Sequence, residues 1–179
     1  MSTELPSKSQ TARRGAHVVI VASRYNEKFT TELLRNCTEE LQENAEHVTV
    51  EVVRVPGAFE VPVMVRRAIT LAPAGERPDV VIALGVILRG STAHADLIGQ
   101  AITQQLLSTA CETLTPVIHE VLLLQDEQQA FARCVASSLN RGREAARAAI
   151  STINLLEEQH ALHSIINRAS SVDPHGSLF

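Results

Sequence analysis

The chain has 179 residues, of which 45% are hydrophobic and 20% charged, which suits one globular domain with a sizeable core. The net charge of -4 gives no electrostatic support for nucleic-acid binding, and no apolar run approaches the ~20 residues of a membrane span. The three cysteines have no Cys-x-x-Cys spacing, which argues against a disulfide framework or a zinc ribbon. We therefore expect a cytoplasmic protein that binds neither nucleic acid nor membrane.

Hydrophobic patterning predicts one domain over residues 16–160. The polar segment 1–15 is expected to be a flexible arm, without the apolar stretch of a secretory signal. Apolar or alternating runs predict four strands, at 17–23, 48–55, 80–87 and 116–124. Helical spacing predicts five helices, at 27–45, 59–71, 92–113, 127–138 and 143–160. The polar tail 161–179 is expected to fray.

Alternation of strands and helices predicts the fold class. Parallel strands need crossover helices, and these crossovers are right-handed and cover both faces of the sheet. We therefore predict an α/β fold, a flavodoxin-like three-layer αβα sandwich around a four-stranded parallel sheet. In such folds, ligands bind outside the carboxyl ends of the strands.

Residues with useful chemistry follow the predicted strands. Tyr25, the only tyrosine, comes after the first strand, and Glu60 comes after the second. After the third strand, Ser91 and Thr92 stand where a helix N-cap is expected, and His94 lies in the first helical turn. Backbone N–H groups at a helix start favour an anion, and histidine moves protons near neutral pH. These residues therefore predict, at this edge of the sheet, a binding site for a flat polar ring and a phosphate-bearing partner.

Four motifs over residues 16–160 resemble the 6,7-dimethyl-8-ribityllumazine synthase family. They occur in the family's order, at Arg24-Tyr25-Asn26, 55–62, 83–94 and Pro116-Val117-Ile118. The resemblance implies condensation of 5-amino-6-(D-ribitylamino)uracil with 3,4-dihydroxy-2-butanone 4-phosphate, releasing phosphate and water. This reaction is the penultimate step of riboflavin biosynthesis. The resemblance implies no metal and no organic cofactor.

The resemblance also implies a role for each matching residue. His94 would transfer protons, and the phosphate would be bound by Ser91, Thr92 and Arg133. The pyrimidine and its ribityl chain would be bound by a larger set, Tyr25, Ala58, Phe59, Glu60, Val86, Ile87, Leu88 and His119. Within this set Tyr25 would stack on the ring, and the backbone of 86–88 would contact it.

Several of these residues also have a purely structural interpretation. Tyr25 is consistent with a half-buried residue at a strand end, and Phe59 with a core residue whose backbone makes the contacts. Glu60 is consistent with a carboxylate that stabilises a helix N-terminus. Ser91 and Thr92 are consistent with plain N-caps. Likewise, His94 is consistent with a structural histidine and Arg133 with a solvated arginine on a helix face.

One part of the sequence departs from the family pattern. His119 stands where the family usually has Phe, Glu120 where it has Gly, and Ala95 where it has an aromatic residue. Residues 123–125 replace a Thr-rich stretch, and Arg141 replaces a common Lys and would supply a second cation. These changes motivate an alternative function, a catalytically weak or inactive homologue that binds flavin or lumazine or forms a shell.

The resemblance finally implies an assembly. Family members place the substrate site between subunits of a homopentamer, with His119 and Arg133 supplied by one subunit and the other strand-end loops by the next. Twelve pentamers close into a 60-subunit shell in some members, and both assemblies stay open for this chain. Glu157, His160 and His163 share helical spacing, but without a fourth ligand they indicate a solvated helix face rather than a metal site.

Overall fold

The computed structural model describes residues 12, 15–44 and 47–170. Its elements in chain order are β1 (Ala16–Ser23), α1 (Glu27–Asn44), β2 (Val48–Val55), a 3-10 turn (Ala58–Glu60), α2 (Val61–Thr70), β3 (Val80–Leu88), α3 (His94–Thr113), β4 (Val117–Leu124), α4 (Glu127–Cys134) and α5 (Arg141–Ser170). Nearly all of the predicted arm, 1–11 with 13 and 14, and the last part of the tail, 171–179, lie outside the described residues. No helix in the described part is long and apolar enough to cross a bilayer.

The sheet is parallel throughout, with strand order β2-β1-β3-β4. β1 pairs with β2 from Ala16 opposite Val48 to Ser23 opposite Val55, and with β3 on its other side. Because the three strands run in register, their carboxyl ends reach the same edge of the sheet. The predicted four-stranded α/β fold is therefore confirmed.

Each face of the sheet carries its own aliphatic core. One core packs side chains of α1, α4 and α5 against one set of strand residues, including Ile20, Ile82 and Leu122. The other packs α2 and α3 against the alternate set, including Val21 and Val81. Side chains alternate along a strand, so continuous apolar runs fill both cores at once.

Helix boundaries differ from the sequence prediction in several places. α3 begins at His94 with Ala93 as its N-cap, so the expected capping by Ser91 or Thr92 is wrong. α4 ends at Cys134 rather than 138. α5 begins at 141 and continues to 170, through the first half of the segment that was expected to fray. It starts there because Asn140 Oδ1 accepts hydrogen bonds from the free N–H groups of the first turn.

The contact between α1 and α5 fixes where α5 begins. Glu40 of α1 is fully buried, and its carboxylate accepts hydrogen bonds from Arg143 at 3.1 Å and from Arg147 at 2.7 Å. Close by, the Cα of Gly142 approaches α1 so closely that an added Cβ would lie 2.3 Å from the carbonyl oxygen of Leu33. Only glycine permits this approach of the two backbones.

We predict that Gly142→Ala destabilises the fold by about 1–3 kcal/mol, the range expected when a methyl group is forced into a packed contact. Urea unfolding at fixed protein concentration measures this difference. Gly90→Ala is the matched control, since no atom lies within 4 Å of its added Cβ and the change in stability should be small. Equal stability of the two variants would contradict the close approach.

Candidate active site

A cleft of about 480 Å³ opens at the carboxyl ends of β1, β2 and β3. Its lining comes from the three loops that follow these strands and from the start of α3. The lining residues are Tyr25, Asn26, Gly57, Ala58, Phe59, Glu60, Val86, Ile87, Leu88, His94 and Ile98. We call this the strand-end cleft.

The loop after β1 presents an aromatic side chain to the strand-end cleft. Tyr25 is 73% exposed, although its N–H donates to the carbonyl of Pro56 at 3.0 Å. Asn26 has a positive φ of 55°, which asparagine tolerates better than most residues, and its Nδ2 donates to the carbonyl of Val86 at 2.8 Å. The β1 loop is thus fixed to the ends of both β2 and β3, whereas the ring of Tyr25 is left free to contact a ligand.

The loop after β2 supplies both an apolar and an anionic wall. The Glu60 carboxylate accepts a hydrogen bond from the N–H of Gly57 at 2.8 Å through Oε2. The expected helix-terminal role of Glu60 is therefore present, and this hydrogen bond uses only one of its two carboxylate oxygens, Oε2. Phe59 is 66% exposed, which is inconsistent with the alternative that it is a core residue.

The loop after β3 places His94 at the cleft. His94 is the first residue of α3, and Ile98 lies one turn further along the same helix face. Ser91 and Thr92 are exposed on this loop, and Thr92 Oγ1 accepts a long hydrogen bond of 3.4 Å from the His94 N–H. Asp96 in the first turn of α3 forms an ion pair with Arg89, which lies on the loop between β3 and α3.

A second cleft of about 700 Å³ runs along β4, the edge strand of the sheet. We call it the edge cleft. It is bordered by α3 on one side and by the start of α5 on the other. The lining residues are Asp96, Gly99, Gln100, Thr103, Gln104, His119, Glu120, Val121, Leu122, Leu123 and Arg141.

His119 faces α3, and both of its ring nitrogens are engaged. The N–H of Val121 lies 3.1 Å from Nδ1, which must therefore accept, and Nε2 lies 2.9 Å from Thr103 Oγ1. Thr103 in turn donates to the carbonyl of Gly99 at 2.8 Å, so its hydroxyl oxygen is free to accept the Nε2 proton. This network assigns the neutral Nε2–H tautomer. Burial lowers the pKa of His119 below its ordinary value, which favours the same neutral form.

Glu120, the next residue on β4, faces α5 instead. Burial raises the pKa of its carboxyl to about 7, because the charged form loses hydration. The positive charge of Arg141 opposes this rise, Glu144 adds to it, and Arg133 opposes it more weakly. Among the described residues, none forms an ion pair with Glu120.

Arg133 and Arg141 each carry a buried nitrogen without a partner among the described residues. The unpartnered atoms are Nη1 of Arg133 and Nη2 of Arg141. The Arg141 side chain is only 6% exposed, and its Nη1 pairs with Glu144. A buried guanidinium N–H group without an acceptor is costly, and an anion would satisfy it.

The structure brings together eight of the twelve residues that the sequence assigned to the site. All eight line the strand-end cleft, and they are Tyr25, Ala58, Phe59, Glu60, Val86, Ile87, Leu88 and His94. Ser91 and Thr92 lie on the adjoining loop. His119 lies in the edge cleft, and Arg133 lies on α4 near Glu120. The described part of the chain holds no group of three or more His, Cys, Asp or Glu side chains that could bind a metal ion.

Three residues that line the strand-end cleft, Asn26, Gly57 and Ile98, are not among the predicted site residues. Ile98 follows His94 at i+4, and this spacing alone could have placed it on the cleft-facing side of α3. Gly57 approaches Glu60 closely, as an added Cβ would lie 3.0 Å from its Oε2.

The family model for 6,7-dimethyl-8-ribityllumazine synthase matches residues 15–157. The chain belongs to this family. Enzymes named 6,7-dimethyl-8-ribityllumazine synthase are similar along most of their length. The one from Chlorobium phaeobacteroides is 37% identical over 146 residues, covering 81% of this chain and 92% of its own. The one from Nitrobacter hamburgensis is 33% identical over 151 residues, covering 84% and 91%.

A further relative and one solved structure also resemble this chain. The enzyme of the same name from Thermococcus gammatolerans is 34% identical over 145 residues, covering 81% of this chain and 90% of its own. Among solved structures, a GDP-L-fucose synthetase from Naegleria fowleri bound to NADP covers 93% of this chain and 51% of its own, with 10% identity and a TM-score of 0.40. That likeness is too low to inform the fold. Lumazine synthase family membership thus rests on the sequence matches.

We predict that Glu120→Gln stabilises this lumazine synthase family member at alkaline pH. Because the folded-state pKa of Glu120 is about 7, above the ordinary 4.5, the folded protein binds this proton more tightly than the unfolded chain does. The free energy of unfolding therefore falls as the pH rises from about 4.5 to about 7, and the loss is complete above about pH 7. Glu120→Gln should raise the free energy of unfolding by up to about 3 kcal/mol at about pH 8 and hardly at about pH 4.5.

Denaturant unfolding at these two pH values and one protein concentration measures the difference. Glu76→Gln, in an exposed loop, is the control and should change stability little at either pH. A gain for Glu120→Gln that is the same at both pH values would show that ionisation of Glu120 is not its cause.

Proposed function

We propose that this protein is a 6,7-dimethyl-8-ribityllumazine synthase. It condenses 5-amino-6-(D-ribitylamino)uracil with 3,4-dihydroxy-2-butanone 4-phosphate and releases phosphate and water. The observation that carries the proposal is the strand-end cleft, where an exposed tyrosine, a carboxylate and a histidine converge in a chain of this family. Its free cysteines, Cys37, Cys111 and Cys134, are consistent with a proposed cytoplasmic location.

The strand-end cleft suits the pyrimidine and its ribityl chain. The exposed ring of Tyr25 stacks on the flat heterocycle, and the backbone of 86–88 contacts its polar edge. Oε1 of Glu60 accepts hydrogen bonds from ribityl hydroxyl groups, since Oε2 is already bound by Gly57. The bound pyrimidine then presents its amino group beside the start of α3.

His94 transfers protons in the steps that follow. The amine attacks the butanone carbonyl to form a Schiff base with loss of water, phosphate leaves, and ring closure loses a second water. His94 lies at the cleft beside Ser91 and Thr92, which with Arg133 hold the phosphate. Positioning the two reactants supplies most of the acceleration, and proton transfer adds a smaller factor.

The proposed site is completed by a neighbouring subunit of a homopentamer. In one chain, His119 and Arg141 border the edge cleft, whereas His94 borders the strand-end cleft. A contact that sets the edge cleft of one subunit against the strand-end cleft of the next would unite the two sets. The separation of the two clefts within one chain supports this arrangement.

Turnover of the two substrates tests the reaction. The wild-type protein should produce lumazine absorbance well above the spontaneous rate, and His94→Ala should lower kcat about a hundredfold, the lower end of general acid–base effects. Arg133→Ala should raise KM for the butanone phosphate much more than KM for the pyrimidine. Lumazine formation no faster than the spontaneous reaction would refute the proposed function.

A mixing experiment tests whether the site lies between subunits. Subunits carrying His94→Ala and subunits carrying Arg133→Ala are co-expressed in equal amounts and co-purified, and activity is measured at a low butanone phosphate concentration, where each variant alone is strongly impaired. If neighbouring subunits share the site, about a quarter of the interfaces pair an intact His94 with an intact Arg133, so about a quarter of wild-type activity should return.

If each chain holds its own complete site, every site in the mixture keeps one defect, and activity stays at the level of the two variants alone. Co-expression of tagged and untagged His94→Ala subunits controls for the effect of mixing itself.

A further inference from the structure

We propose that the carboxylate of Glu120 competes electrostatically with the phosphate of the substrate for Arg133 and Arg141, so that anion binding requires Glu120 to be protonated. The inference rests on the proposed function for the identity of the anion. The competition itself depends only on residues of this chain.

The geometry of the edge cleft provides the first support. Arg141 is almost fully buried, lines this cleft and keeps Nη2 without an acceptor among the described residues. Arg133 likewise keeps a buried Nη1 without an acceptor in the described part of the chain. Two guanidinium groups with unused donors, both within electrostatic range of Glu120, suit a dianion.

The position of Glu120 provides the second support. Its side chain lines the same cleft as Arg141 and lies within electrostatic range of both guanidinium groups, but forms no ion pair among the described residues. A carboxylate there cancels part of the field that would attract an anion, and it repels the anion directly. Protonation removes both effects without moving the backbone.

The surroundings of Glu120 determine when it is protonated. The charged and titratable groups that interact electrostatically with Glu120 are Arg141 and Glu144 on α5, Arg133 and Cys134 on α4, and Cys37 on α1. Its neighbour on β4, His119, and Asp96 on α3 line the same cleft. Burial raises the pKa of Cys37, and it raises that of Cys134 to about 12, so both thiols stay neutral. Glu120 itself titrates at about 7, within the physiological range.

Sulfate is the probe for this competition, because it remains a dianion across the working range, whereas phosphate titrates. Isothermal titration calorimetry on the assembled protein at about pH 6 and about pH 8, at constant ionic strength, gives the two affinities. If sulfate binds only the form with neutral Glu120, its apparent Kd scales inversely with the neutral fraction. For a carboxyl that titrates at about 7, affinity at pH 6 should then be about tenfold higher than at pH 8.

The variants separate Glu120 from other titrating groups. Glu120→Gln should bind sulfate at pH 8 as tightly as wild type does at pH 6, with no pH dependence between them. Glu144→Gln, which alters the ion-pair partner of Arg141, is the matched carboxylate control and should keep the pH dependence. Arg141→Ala should bind sulfate at least about tenfold more weakly at pH 6, as a charge-assisted hydrogen bond is lost.

Three results would overturn the inference: no sulfate binding at either pH, equal wild-type affinity at both, or a tenfold pH dependence that persists in Glu120→Gln. Lumazine formation is measured on the same preparations. An active enzyme with pH-independent sulfate binding would refute the competition alone. Proton-linked sulfate binding without lumazine formation would refute the proposed function alone.

Discussion

The parallel, in-register pairing of β1 with β2 and β3 is the constraint on which the strand-end cleft depends. The pairs Ser23 with Val55 and Ala22 with Leu84 bring the carboxyl ends of the three strands to the same edge of the sheet, where β3 extends to Leu88, beyond its pairing with β1. Because the side chains of β1 from Val18 to Ser23 are almost completely buried, a one-residue slip would move apolar groups between two different cores. The register is therefore strongly specified, and it brings together the loops that follow the strands, where Tyr25 and Asn26 donate hydrogen bonds to Pro56 and Val86.

β4 lies at an edge of the sheet, and this position explains why polar side chains are tolerated on it. It pairs only with β3, so its outer edge is open and the edge cleft runs along it. His119 and Glu120 alternate between the two faces of the sheet, whereas the central strand β1 carries only apolar side chains from Val18 to Ala22. His119 is satisfied by Val121 and Thr103, but Glu120 is partly desolvated without an ion-pair partner among the described residues.

Much of the fold and of the strand-end cleft could be predicted from the sequence. The strands are short, apolar and bounded by glycine or proline, and parallel topology then dictates which loops meet. Helix ends were harder, because they depend on tertiary contacts. The start of α5 depends on Asn140 and on the approach of Gly142 to α1, more than 100 residues earlier in the chain. Similarly, the end of α3 that holds His94 is capped by Ala93, which no side-chain preference would indicate.

The electrostatics of Glu120 could not be predicted from the sequence, because they arise from groups that the fold brings together. Packing of α1 against α5, held by Glu40 with Arg143 and Arg147, fixes the first turn of α5 and with it Arg141. Glu120 is desolvated where it faces the start of α5, so the same region both supplies the cation and disfavours the charged carboxylate that would pair with it. Desolvation is the larger effect, and the carboxyl is consequently poised between its two states at neutral pH. A glycine at this position would leave the guanidinium groups permanently available to an anion, whereas glutamate makes their availability depend on a proton.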